Sequence, residues 1–283
     1  MRDGPPGWTA LQAAIWHEWK SKSPDARRIS DWIVLRGADL QSTLNRMLLV
    51  SPIGRMPGLP RRDVPAYLEF LLARGADPNW LPPNGISVLE HALVRFADPA
   101  AVDVIARRVT PKKAFWIAAG LGDVSAVRGY FDRAGRLKKS AHAGRPDFAA
   151  ILPHPVPSLP DASDLDVMFE AFYVAALNHR WEALDVLLQH GVPIDHAAWG
   201  APLLNLAVGN MMLPLVEHLV KRGARVDIRG WRPCSTAREI AEFMLTLDPP
   251  RPEAREIFIL CGGKDPDEVR RRALEAMRKR GAS

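Results

Sequence analysis

At 283 residues, 47% hydrophobic and 25% charged, the chain carries enough apolar material for a large core at an ordinary charge density. The net charge of +6 invites a polyanionic partner, whereas two cysteines are too few for a disulfide framework and fit no zinc spacing. No stretch approaches the about 18 apolar residues of a membrane span, and Met1-Arg2-Asp3-Gly4 opens no secretory leader, so a soluble cytoplasmic protein is expected.

In chain order, the apolar spacing predicts helices over 9–20 and 25–36, stopped by Gly37. A second pair begins near Gln41 and resumes at 64–74. Between its halves lies 51–62, rich in Pro and Gly, which cannot continue a helix and reads as an inserted loop. A third unit spans about 80–108, and a fourth places helices at 111–121 and 124–131. A longer insert, 134–163, follows. Its Leu152-Pro153-His154-Pro155-Val156-Pro157 run favours an extended path, and its length exceeds that of ordinary connections. Units five, six and seven occupy about 165–195, 196–227 and 228–263. The segment 264–283 reads as a basic terminal helix. Its acids Asp265, Asp267 and Glu268 stand at the start, and its bases, from Arg270 to Arg280, stand after them.

One phrase recurs along this path: an apolar run, a basic or polar residue, Gly, then a short polar tail. It reads Leu71-Leu72-Ala73-Arg74-Gly75-Ala76-Asp77, then Leu187-Leu188-Gln189-His190-Gly191-Val192, then Leu219-Val220-Lys221-Arg222-Gly223-Ala224. Gly37 and Gly75 are 38 residues apart, and Gly191 and Gly223 are 32 apart. Gly at this place supplies the left-handed residue that ends a helix. A second phrase opens the units: Thr9-Ala10-Leu11-Gln12-Ala13-Ala14, Ser87-Val88-Leu89-Glu90-His91-Ala92, and Pro202-Leu203-Leu204-Asn205-Leu206-Ala207. Self-similarity at this period marks a stacked helical array. Together the two phrases resemble the ankyrin repeat. The resemblance implies a single all-α ankyrin-type solenoid over 1–283, with about seven repeats at 7–263, inserts at 51–62 and 134–163, and a basic cap at 264–283. It also implies a protein or peptide partner held by the concave face and the turn fingers.

Candidate binding residues follow from that frame. Trp80, Trp199 and Trp231 fall in the turns after second helices, where exposed Trp would make an adhesive edge. Trp16, His17 and Asn178 follow the Ala pairs and are expected on the concave floor. Trp32, Trp116 and Trp181 read as packing residues, and His190 as a helix-terminal His. An enzyme or small-molecule binder is the alternative, with a pocket between the groove and the 134–163 insert. His154, His196 and Asp195 would then be the first groups to examine, since a His beside a carboxylate can serve as a general base. Nucleic-acid binding through the basic cap is a third reading. The eight histidines show no metal-ligand spacing, and no phosphate loop or nucleophile elbow is present, so neither metal nor cofactor is expected.

Overall fold

The computed structural model describes residues 9–50, 63–95, 98–151, 161–197, 200–230, 235–247 and 251–281. Among the described residues, seven helix pairs follow one another. They are α1 (Ala10–Ser21) with α2 (Pro24–Leu35), α3 (Leu40–Val50) with α4 (Val64–Ala73), and α5 (Val88–Arg95) with α6 (Pro99–Ala106). Next come α7 (Phe115–Leu121) with α8 (Val124–Gly129), and, beyond the four-residue α9 (Phe148–Ile151), α10 (Asp164–Leu177) with α11 (Trp181–Gln189). The last pairs are α12 (Leu203–Gly209) with α13 (Leu213–Lys221) and α14 (Ala237–Leu245) with α15 (Ala254–Leu260), closed by α16 (Pro266–Gly281). The chain is an all-α helical repeat solenoid.

First helices pack on first helices, α1 on α3, α3 on α5, α5 on α7 and α7 on α10, with α14 between α12 and α16. Second helices form the other layer, α4 on α6, α8 on α11 and α13 on α15. One continuous core runs between the layers from Leu11 to Cys261. No pair could bury its apolar stripe alone, and the stack solves that for all of them.

Local signals set the register. The turn from first to second helix uses a left-handed residue at Lys22, Gly122, His179 and Met211. The fourth position of the opening phrase has one job done in two ways. Gln12, Glu90 and Glu239 accept from the backbone N–H of Thr9, Ser87 and Thr236, closing capping boxes. Asn45, Trp116 and Asn205 instead hold a loop. Asn45 accepts from the Asp77 N–H at 2.8 Å, Trp116 Nε1 donates to the Gly144 carbonyl at 2.8 Å, and Asn205 Nδ2 donates to the Ile228 and Ser235 carbonyls.

The basic residue before the helix-ending Gly reaches back one repeat. Arg74 pairs with Asp31 at 3.2 Å, and Arg222 pairs with Asp185 at 2.5 Å. Both acids stand six residues before the preceding Gly. Arg108 makes the same reach to Glu69 at 2.9 Å. His190 occupies this slot in the fifth repeat and stacks flat on Phe131 of the fourth, ring centroids 3.7 Å apart. It is the helix-terminal His expected from sequence, at the C-cap of α11, and it makes an inter-repeat contact as well.

Gly120 is required where three first helices converge. A Cβ there would stand 2.6 Å from Val174 Cγ1 and 2.8 Å from Leu93 Cδ2, closer than real contacts allow. This close approach puts Gly120 inside the stack, not on a groove floor. Cys261 is buried, and burial pushes its thiol up to about 11; Cys234 lies outside the described residues. Trp32 is 55% exposed beneath the Arg36 guanidinium, so it does not pack as expected, whereas Trp181 is stacked between His179 and His218. No helix among the described residues is long and apolar enough to cross a membrane.

His91 on α5 is buried, and neither ring nitrogen has a hydrogen-bond partner among the described residues. Burial, assisted by Arg95, pushes its pKa down to about 4. An unfolded His titrates near 6.5, so acidification protonates the unfolded chain first. Stability should therefore be complete above about pH 6.5 and fall between there and about pH 4, by up to about 1.4 kcal/mol per pH unit from this group. Urea unfolding at pH 7 and pH 5 checks this: His91→Leu should show a shallower loss than wild type, and an equal loss contradicts the assignment.

Candidate functional site

The array offers its open surface along the first-helix layer and the turns that project beside it. The 134–163 insert lies against the middle of that layer. Its described part starts at an isolated antiparallel bridge between Phe131 and Leu137, continues through a 3-10 turn at Lys139–His142, and ends in α9, packed on α5. Ala141, Phe148 and Ile151 are buried, and Phe148 meets Tyr173 edge-on at 5.9 Å. Arg145 forks onto Glu170 with bonds of 2.9 and 2.5 Å, and His142 meets Asp164 at 2.8 Å. Burial pushes the Tyr173 hydroxyl up to about 12. The described insert is thus a fixed part of the solenoid. It packs on the central first helices α5 and α10.

The residues singled out from sequence are scattered by the fold. Trp16 is buried on α1, stacked on Trp19 at 5.2 Å with its edge on Tyr67 at 5.4 Å. Asn178 is wholly buried, its amide donating to the Leu93 and Val174 carbonyls at 2.8 Å each. Neither lies on an open floor, because each is turned into the stack where the core needs it. His17 is exposed on α1, and Trp80 is half-buried against the core. Asp195 accepts from the Arg225 N–H at 3.0 Å and so braces the next turn. His196 sets its ring edge against Phe169 at 5.0 Å, with Nε2 buried and unpartnered among the described residues. Asp195 and His196 are neighbours facing different partners. His154, Trp199 and Trp231 lie outside the described residues.

Three bases of the cap are already engaged. Arg270 donates to the Leu245 and Leu247 carbonyls at 2.9 Å each. Arg271 binds Glu268 and Glu275, and Arg272 binds Glu268 at 2.5 Å. Among the described residues no group of three His, Cys, Asp or Glu side chains is placed to hold a metal.

Beyond the insert the first-helix layer opens again as a cleft of about 550 Å³ between α12 and α14. Its lining is mostly apolar, with Leu206, Gly209, Ile240, Phe243 and Met244. Phe243 is 59% exposed, which is unusual for a large apolar side chain. Gly230 and Ser235 bound the cleft at the turn end. Two of its polar side chains are tied to neighbours. Glu239 takes the Thr236 N–H, which holds its carboxyl below the usual range, and pairs with Arg229 at 2.9 Å; Asn210 donates to the Leu206 carbonyl. A shelf lined mostly by apolar side chains binds by shape and burial. Gly209 and Asn210 follow the Ala207 position of the opening phrase, so register points to them; nothing in the sequence marks Phe243 as exposed.

No family model matches the sequence, and no curated protein matches it. Among solved structures, the chain is similar to the human ASB11 ankyrin repeat domain at 18% identity and a TM-score of 0.32, covering 91% of this chain and 100% of that one. It is similar to the ankyrin repeat domain of Bcl-3, a member of the IkappaB family, at 18% identity and a TM-score of 0.30, covering 97% and 100%. The fold assignment rests on the helix pairs and their register described above.

The Arg145–Glu170 fork is the contact most easily tested. The Glu170 side chain is 4% exposed, so removing its partner strands a buried charge. Arg145→Ala should cost about 3–5 kcal/mol of unfolding free energy, and Arg145→Ala with Glu170→Leu should recover much of that. Equal losses in both variants would show that the insert is not held through this pair.

Proposed function

We propose that this protein is a binding module that takes an apolar segment of a partner protein into the cleft between α12 and α14. The observation that carries the reading is Phe243, an exposed aromatic in a cleft lined mostly by apolar side chains. From Ser235 to Met244 the cleft follows α14 for roughly 13 Å at about 1.5 Å per residue, room for about four residues of extended peptide. The scaffold is ordered before the partner arrives, so binding costs little reorganisation of the array.

The reading favours a peptide over a substrate. Asp195 and His196 do not act as a pair, and Glu239 is held by its capping box and Arg229. The insert is packed by Phe148, Arg145 and Trp116 rather than arched over an open chamber.

Gly209 supplies a clean test. A Cβ there would meet only Ile240 Cγ2, at 3.9 Å, so a larger side chain has room to enter the cleft. Peptides selected against wild type should lose more than tenfold in affinity on Gly209→Phe and five- to thirtyfold on Phe243→Ala, about 1–2 kcal/mol, while both variants keep the wild-type helical circular dichroism. Unchanged affinity of every selected peptide in both variants contradicts the proposal.

A further inference from the structure

A second cleft, of about 880 Å³, lies at the other end of the array, far in sequence from α12 and α14. It sits where α1 turns into α2, beside the start of α4, so it faces the helix-turn edge rather than the first-helix surface. Trp19, Ala66 and Phe70 make its apolar walls, and the cations Lys20, Lys22 and Arg27 outnumber the acids Glu18 and Asp63 that line it with them.

The charges here are unevenly spent. Glu18 lines the cleft, but its carboxylate is committed inward. It accepts from Ser30 Oγ at 3.1 Å and lies 3.5 Å from Arg74 Nε, in a pair whose side chains are 7% and 8% exposed. The three cations are exposed. Lys22 forms no ion pair with any described residue, Lys20 rests 5.3 Å from the Trp16 ring centroid, and Arg27 has only its exposed helix neighbour Asp31, at 3.7 Å. Ser23 and Pro24, at the positive end of α2, complete the same wall. Apolar walls with unspent positive charge complement a ligand that is both apolar and anionic.

The ring geometry separates two anionic classes. Stacking a nucleobase needs an open aromatic face. Trp19 already stacks on Trp16 at 5.2 Å and receives Tyr67 at 5.0 Å, while Phe70 stacks on Tyr67 at 6.1 Å. Each of the two rings thus gives one face to a core neighbour, and what they share with the cleft is apolar wall that suits a side chain.

We infer that this edge of the first two repeats is a docking surface for an acidic peptide carrying an aromatic or large aliphatic residue, separate from the cleft between α12 and α14.

The test is selection of a displayed random 12-residue peptide library on wild type, on Lys20→Glu/Lys22→Glu, and on Ala66→Trp, which plugs the cleft from an exposed position without altering its charge. Thermal melts establish that each variant is folded. The expected result is a set of clones that carry two or more carboxylates near an aromatic or aliphatic residue. Their affinity should fall at least tenfold on both variants and weaken as salt rises. The inference is overturned if no clone depends on Lys20 and Lys22, if the dependent clones lack carboxylates, or if a single-stranded oligonucleotide binds in a Lys20- and Lys22-dependent way where no peptide does.

Discussion

The interface between successive helix pairs is the constraint from which the rest of this structure follows. Each pair has one apolar stripe too many to fold alone, and each neighbour supplies the missing cover. Burial is non-directional, so it does not by itself fix how one pair sits on the next. The arginines do that. Arg74, Arg108 and Arg222 each return to an acid on the preceding second helix, two of them from the residue just before the Gly that ends their own helix. The left-handed Gly and the Arg before it form one device: the first stops the helix, and the second fixes the step to the repeat behind.

The regularity is interrupted where function would otherwise be expected. At the α7–α10 step, Gly120 brings α5, α7 and α10 into close approach, and the insert folds back across these first helices. Trp116 and Glu170 then face the insert instead of solvent, holding Gly144 and Arg145. With the insert packed on the central first helices, the clefts at Phe243 and at Trp19 lie toward the two ends of the array, and they differ in character. One is mostly apolar with Glu239 paired to Arg229, and the other is lined by three cations and two acids, of which Glu18 is committed to Arg74.

Much of the architecture was legible in the chain. The opening phrase at Thr9 and the stops at Gly37, Gly75, Gly191 and Gly223 act within a few residues, so they can be read locally, and helix ends fall within a few residues of expectation. The site was far less legible. Trp16 and Asn178 share the register of groove residues, yet their burial is decided by helices tens of residues away. Asn178 donates to Leu93, 85 positions distant. The meaning of Arg before Gly was hidden for the same reason, since Asp31 and Arg74 meet only when two repeats stack. Phe243 reads as an ordinary apolar residue of an amphipathic helix, and only the open flank of α12 shows it to be exposed.

The central claim is that partners meet this protein at the α12–α14 cleft while the insert stays closed over the middle of the array. Hydrogen–deuterium exchange, with and without a saturating selected peptide, tests it most directly. The account predicts new protection within 203–210 and 235–245, with slow exchange at 139–151 unchanged by the peptide. Protection appearing across 139–151 and α7 instead, or exposure of that segment on binding, would contradict it and make the insert a displaceable occupant of the true site.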